Sequence, residues 1–296
     1  MGVDQVAAAH YRRQAALARR VARELARLWR RVDGQAIAGS WQASLPAAVQ
    51  VLSTGQALAA AAATVYVDDA LEAQGLTGAT EGRLQVAAFA GVASDGRDLA
   101  GLLYQPAVTA LTGIRQGATV GRALAGGQLA LDAIARTQVA DAGRAADQVA
   151  LVTRPDCGGY VRLLVGRSCS RCVILAGRWY RWNAGFRRHP RCDCRHIPSR
   201  EDRAGDLRTD PREYFASLPR EEQDRAFTAA GAAAIRDGAD LAKVVNARRG
   251  TQVAGGRLFT TEAAGRRPRL MPEQIYRDAR DRKDAIRLLR LHGYIT

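Results

Sequence analysis

Cysteine and histidine crowd into one short stretch of this chain. The spacing is Cys169-x2-Cys172, then sixteen residues, then His189-x2-Cys192-x-Cys194-x-His196. Zinc takes four soft or borderline ligands at the corners of a tetrahedron. Two cysteines separated by two residues meet half of that need, because a tight knuckle turns both sulfurs to one side. A second turn, His189-Pro190-Arg191-Cys192-Asp193-Cys194, can supply the other half, with Pro190 fixing the bend. Six residues compete for four places. Cys169 and Cys172 lead, His189 and Cys194 come next, and Cys192 follows closely. His196 comes last, because its alternation with Cys194 points both the same way only in an extended strand.

The surroundings favour a structural zinc over a catalytic one. Catalytic zinc keeps a water and a general base nearby, and between Cys157 and Arg200 the only acid is Asp193. The His-x-Glu of zinc deaminases is absent, as is a His-Glu-x-x-His helix. A closed site of this kind contributes about 10 kcal/mol or more to the local fold. The same window carries ten arginines. Of these, Arg178, Arg181, Arg187, Arg188 and Arg191 stand beside Trp179, Tyr180, Trp182 and Phe186 and are candidates for nucleic-acid contact. Arginine grips phosphate and aromatics stack on bases. Here the aromatics read better as the mini-core of a small module.

The elements that must position this cluster are helical. The fold expected is mostly α, with helical N- and C-terminal parts and a small inserted β-hairpin zinc knuckle. Residues 1–46 read as an amphipathic helix and linker, with Leu17, Val21, Leu25, Leu28 and Val32 at spacings of three and four and arginines on a solvated opposite face. A break is expected from Gly34 to Pro46. Residues 47–150 read as helix after helix, with turns near Gly75, Gly78 and Gly96. The five glycines from Gly113 to Gly127 lack the Lys-Ser or Lys-Thr of a phosphate loop and read as a turn or a close helix contact.

The Cys/His module spans 151–200. Short strands are expected through Tyr160–Leu164, through Val173 and Leu175, and through Trp179–Trp182, around a turn at Gly177-Arg178. In 201–296, helix is expected from Tyr214 to Val245 and from Pro272 to Leu291, with an irregular Gly/Arg-rich arm from Gly250 to Pro272 between them.

Composition narrows the class. The 296 residues carry a formal charge of +15, and lysine occurs only at Lys243 and Lys283. A GC-rich genome explains arginine in place of lysine. It does not explain the excess of base over acid, which points to a polyanionic neighbour. Four of the five cysteines are clustered, unlike a secreted disulfide framework. The longest apolar run, Ala57 to Val67, falls about a third to a half short of the roughly 20 residues of a bilayer span. The N-terminus has no signal-peptide core and Val6 breaks the myristoylation pattern. The chain is therefore read as soluble, unexported and without a membrane span.

Several of these residues carry a family resemblance. Arg136-Thr137, then Cys169-x2-Cys172, then Leu175-Ala176-Gly177-Arg178-x-Tyr180, then His189-Pro190-x-Cys192-Asp193-Cys194 resembles the phage Mu F-like minor head proteins. That family runs Arg-Thr, Cys-x2-Cys, Leu-x-Gly and His-x2-Cys-Arg-Cys. Asp193 stands where the family often has arginine, and His196 is extra. Gly231 to Gly238, Val244 to Gly250 and Pro272-Glu273-x-Ile275-Tyr276 also look like relatives from tailed phages. The resemblance covers about Leu129 to Thr296.

It implies a low-copy internal minor capsid protein that sits near the portal and assists head assembly or genome delivery. Its partners would be the portal protein, the capsid interior and packaged double-stranded DNA, contacted without sequence specificity. Its place would be the virion head, after the host cytoplasm during assembly. Two enzymatic alternatives stand beside this non-enzymatic one. A maturation protease would need a triad from His10, His189, His196 or His292, with Ser168 or Ser170 as nucleophile. A zinc-containing nuclease would build on His189 and Asn183.

Overall fold

Small side chains at helical spacing set the first half of the molecule. The computed structural model describes residues 2–76, 78–164, 168–176, 178–184, 195–262 and 268–295. Four long helices lead: α1 (Val3–Trp29), α2 (Ile37–Glu72), α3 (Leu99–Arg115) and α4 (Val120–Val152). On α1 the buried positions Val6, His10, Gln14, Ala18, Val21, Leu25 and Trp29 recur at three and four, which is the period of a single apolar stripe. On α2 and α4 the buried seam is largely alanine, glycine and leucine, so helix axes can approach closely.

Tight contacts replace bulk along this seam. A Cβ at Gly127 would stand 2.4 Å from Trp29 Cζ2 and 2.8 Å from the Pro106 carbonyl oxygen. The glycine-rich stretch before it is thus both the turn and the close helix contact: Gly117 adopts φ +88° just after α3, and Gly127 admits the Trp29 ring.

The expected break from Gly34 to Pro46 is shorter than the sequence indicated. Helix α2 starts at Ile37 and runs through Pro46. Proline inside a helix removes one backbone hydrogen bond at a cost of about 3 kcal/mol. Burial of Trp41, Ala48 and Leu52 on either side of it outweighs that local loss. The absence of any long apolar span also needs correction, since Ile37–Glu72 is long and apolar enough to cross a bilayer by length and composition. A core helix passes the same test, and Trp41, Leu52, Ala59, Ala63 and Val67 are fully buried within this chain.

After α4 come β1 (Gly159–Leu163), α5 (Ser170–Ala176), β2 (Trp179–Arg181) and β3 (Arg195–Ser199). These strands form one sheet in the order β2-β1-β3. The β1–β2 pair is antiparallel, with Tyr160 opposite Tyr180 and their rings stacked at 5.3 Å. This is a three-stranded sheet, not the lone hairpin expected. Val173 and Leu175, expected in a strand, lie on helix α5.

The remainder is a set of short, locally capped helices: α6 (Pro211–Ser217), α7 (Arg220–Phe227), α8 (Ala229–Arg236) and α9 (Leu241–Ala247). Asp210 caps α6 by accepting from the backbone of Arg212 at 2.6 Å and of Glu213 at 3.0 Å, and Asp240 caps α9 through Lys243 N at 2.7 Å. Such caps interrupt what periodicity alone reads as one helix.

The arm from Gly250 to Pro272 is not irregular. Strands β4 (Thr251–Ala254), β5 (Arg257–Thr260) and β6 (Arg269–Leu270) make a second antiparallel sheet. Gly255 and Gly256 both have positive φ, at 56° and 73°, the signature of a two-residue hairpin turn. The last helix is likewise two, α10 (Pro272–Asp278) and α11 (Arg282–Leu291), because Asp281 turns extended and caps Asp284 N at 2.8 Å.

Contacts divide the chain into two compact units. The first holds Met1–Val161, β2 and Arg195–Leu207. The second holds Arg162–Arg178 and Arg208–Thr296. The expected segments 1–46 and 47–150 thus share one unit. Its core runs through Leu25, Trp29, Trp41, Leu52, Leu103 and Leu131. The second core joins Val173, Phe227, Val244, Ile275, Leu289 and Tyr294.

Gly127→Ala should lower the stability of the first unit by about 1–3 kcal/mol through overpacking against Trp29. Gly126→Ala, where a Cβ meets nothing within 4 Å, should leave it unchanged or slightly raised. Thermal unfolding of the two variants side by side checks this.

Candidate functional site

Helix α5 begins at the first two cysteines. Cys169 Sγ accepts a hydrogen bond from the backbone N–H of Cys172 at 3.4 Å, and the two sulfurs stand 3.4 Å apart. Tetrahedral zinc with sulfurs at about 2.3 Å sets two of them about 3.8 Å apart, so this pair can fill two corners after a small adjustment. The turn is held from below. Val173 and Ala176 are buried, and Arg171 Nη1 donates to Asn246 Oδ1 at 2.5 Å.

Arg162, only 1 % exposed, brings Nη2 within 3.5 Å of Cys172 Sγ. A buried guanidinium thus stands directly beside the sulfur pair. Among the described residues no group of three or more His, Cys, Asp or Glu could hold a metal. His189, Cys192 and Cys194 lie outside the described residues, as do Arg187, Arg188 and Arg191. Arg178 and Arg181 are exposed.

His196, the remaining candidate ligand, and Cys157, the cysteine outside the cluster, are placed by the first unit. His196 lies on β3, buried, with its ring 4.1 Å from that of Tyr160. Cys157 is fully buried and donates to the Gly159 carbonyl at 3.1 Å. Burial pushes its thiol up to about 11, which leaves it protonated and unreactive at neutral pH.

A buried polar pair escaped the sequence reading. His10 Nε2 lies 3.3 Å from Asp147 Oδ1 and 3.4 Å from Oδ2, and the side chains are 1 % and 5 % exposed. The His10 ring stacks on Tyr66 at 4.0 Å, and Tyr66 donates its hydroxyl to the His196 carbonyl at 2.5 Å. Beside it Gln14 donates to the Ala59 carbonyl at 2.9 Å. The signal was present: His10 and Gln14 continue the apolar spacing of α1, and Asp147 follows the buried Ala142, Gly143 and Ala146 on α4.

A cleft of about 630 Å³ opens nearby, lined by Gln138, Asp141, Arg144, Tyr160, Trp182 and His196 among others. Its polar groups have internal partners. Gln138 accepts from Ser94 N at 2.8 Å and donates to Ser94 Oγ at 3.0 Å, Gln148 donates to the Trp182 carbonyl at 2.5 Å, and Arg144 pairs with Asp141 at 3.0 Å. These bonds tie loop and sheet to the helices, which is a structural use of polar groups.

Replacing one member of the His10–Asp147 pair, as in His10→Ala or Asp147→Ala, should cost about 1–3 kcal/mol by leaving the other buried without its partner. The double change His10→Phe/Asp147→Leu should cost less than the sum of the single changes at the same positions. Denaturant unfolding of the set measures the coupling. In the native chain Cys157 should stay silent to a thiol reagent at pH 8 and react only on unfolding.

Neither the comparison with curated proteins nor that with solved structures returned a match. A family model described as VG15 protein matches residues 2–218, a span that takes in all four long helices, the first sheet and the Cys169–Cys172 turn. On that match the chain belongs to the VG15 protein family, a family of viral proteins.

Proposed function

We propose that this chain is an internal minor capsid protein of a tailed phage. In this reading it is present in few copies, lies by the portal and the packaged DNA, and assists head assembly or genome delivery. The observation that carries the reading is membership of a viral family over residues 2–218, a span that includes the Cys169-x2-Cys172 turn of the Mu F-like pattern. The formal charge of +15 supports a polyanionic setting. The near-complete burial of His10 and Asp147 supports a core role for the described histidine–carboxylate pair.

A structural zinc belongs to the same proposal. Cys169 and Cys172 would hold two corners. The other two would come from His189, Cys192 and Cys194. The bound ion would cross-link the two turns and supply no reacting group. The sulfur pair, its N–H···S bond and the adjacent Arg162 support this reading.

Two measurements test the proposal. Mass spectrometry of gradient-purified virions should find the chain at low copy relative to the major capsid protein. Its absence from virions and procapsids would remove the head reading. Elemental analysis of protein purified without added metal should find about one zinc per chain, lost in Cys169→Ser/Cys172→Ser together with a marked fall in melting temperature.

A further inference from the structure

Helix α1 presents a continuous arginine face that neither the zinc turn nor the helical core uses. Eight of the twenty residues from Arg12 to Arg31 are arginine, and all eight are exposed. At 100° per residue, carried through the helical C-cap Arg30, Arg12, Arg19, Arg23 and Arg30 fall within about 40° of one another, Arg13, Arg20 and Arg27 extend the arc to about 120°, and Arg31 follows in the turn. From Arg12 onward the only other residue in that arc is Ala16. Between Arg12 and Arg31 the one acid in the sequence, Glu24, sits at the edge of the arc and reaches Arg20 at 3.8 Å across exposed surface, a pair of little strength. The row is about 27 Å long from Arg12 to Arg30 at 1.5 Å per residue.

We infer that this face is a binding surface for the phosphate backbone of double-stranded DNA, without sequence preference. Duplex DNA carries one negative charge per about 1.7 Å of axis, and guanidinium matches phosphate through paired hydrogen bonds. Other polyanions fit less well. The apolar side of α1 (Val6, Val21, Leu25, Trp29) is buried in the core and is closed to a lipid surface, which needs it free. The arc holds no aromatic side chain on which single-stranded bases could stack. Protein interfaces are depleted of charge at their centre, whereas here charge fills the centre. The inference rests on the phage-head reading only for which polyanion is at hand.

The test is a titration of a short labelled duplex with the full chain, followed by anisotropy across about 50–200 mM salt. Arg19→Gln/Arg23→Gln/Arg27→Gln/Arg30→Gln should weaken binding more than about tenfold and flatten the log–log salt slope by up to about 3.6, or about 0.9 per lost contact. The same four positions changed to lysine should keep most of the slope. A control with equal charge loss on scattered exposed arginines, R115Q/R122Q/R203Q/R208Q, should lose less than half as much. Equal loss in the two neutralised variants would reduce the effect to net charge and overturn the inference. So would an unchanged slope in the first variant, or tighter face-dependent binding to polyglutamate or anionic vesicles than to duplex.

Should the neutralised helix fail to fold, arginine-specific dicarbonyl labelling of the unaltered chain decides. Duplex should protect Arg12 to Arg31 selectively, and equal labelling with and without duplex would overturn the inference. Absence from virions would leave a positive binding result standing, and loss of binding would leave the virion assay untouched.

Discussion

Two indole rings lock the four-helix unit, and much else follows from how close they bring the helices. Trp29 and Trp41 meet edge to face at 4.9 Å. Each donates its ring N–H to a carbonyl of another helix, Trp29 to Leu124 at 3.0 Å and Trp41 to Leu103 at 2.8 Å. Burying an indole leaves its N–H in need of a partner, and these carbonyls are within reach only because Gly127 lets the Trp29 ring lie against α4. Alanine along α2 and α4 extends the same close approach. Polar side chains that enter this seam, His10, Gln14 and Asp147 among them, are then satisfied within it or not at all.

The consequence for charge is direct. With one side of α1 committed to the core, its arginines share the other. Elsewhere acids and bases pair: Arg136 with Asp132, Arg154 with Asp68, Arg236 with Asp224, Arg282 with Asp237. The more exposed of them, such as Arg136 with Asp132, stabilise little individually, but all of them neutralise local fields. Helix α1 has almost no acid to do this, so its positive potential is left to face outward.

The second unit is organised differently, by local closure. Aspartate caps, a Gly-Gly hairpin and short helices each complete their own backbone hydrogen bonds, and Phe227, Ile275, Leu289 and Tyr294 gather them round one small core. The Cys169–Cys172 turn benefits from that rigidity. Its sulfurs are set by the start of α5, and Val173 just after it anchors the helix in the core. Arg162, 1 % exposed, lies against the same turn, with Nη2 3.5 Å from Cys172 Sγ.

Much of this was legible in the residues. The period of α1, the glycine turn at Gly117 and the Cys-x2-Cys spacing are local properties, dictated by a few neighbouring side chains; the cap at Asp240 is equally local, but the helical period read straight through it. The Gly255-Gly256 hairpin was equally local and readable, though glycine and arginine content masked it as an irregular arm. Other features depended on residues far apart in the chain. Pro46 stays helical because Trp41 and Leu52 are buried in a core shared with Leu103 and Leu131, far along the chain, and Val173 and Leu175 are helical because α5 packs on α6 and α9. The His10–Asp147 pair joins residues 137 positions apart. Sequence by itself determined the period of α1, the charge and the spacing of the first cysteine pair, since these depend on side-chain identity and near-neighbour spacing. Tertiary structure decided which polar groups are buried, which helices run through their breakers and which arginines share one open face, because burial depends on what the rest of the chain brings alongside.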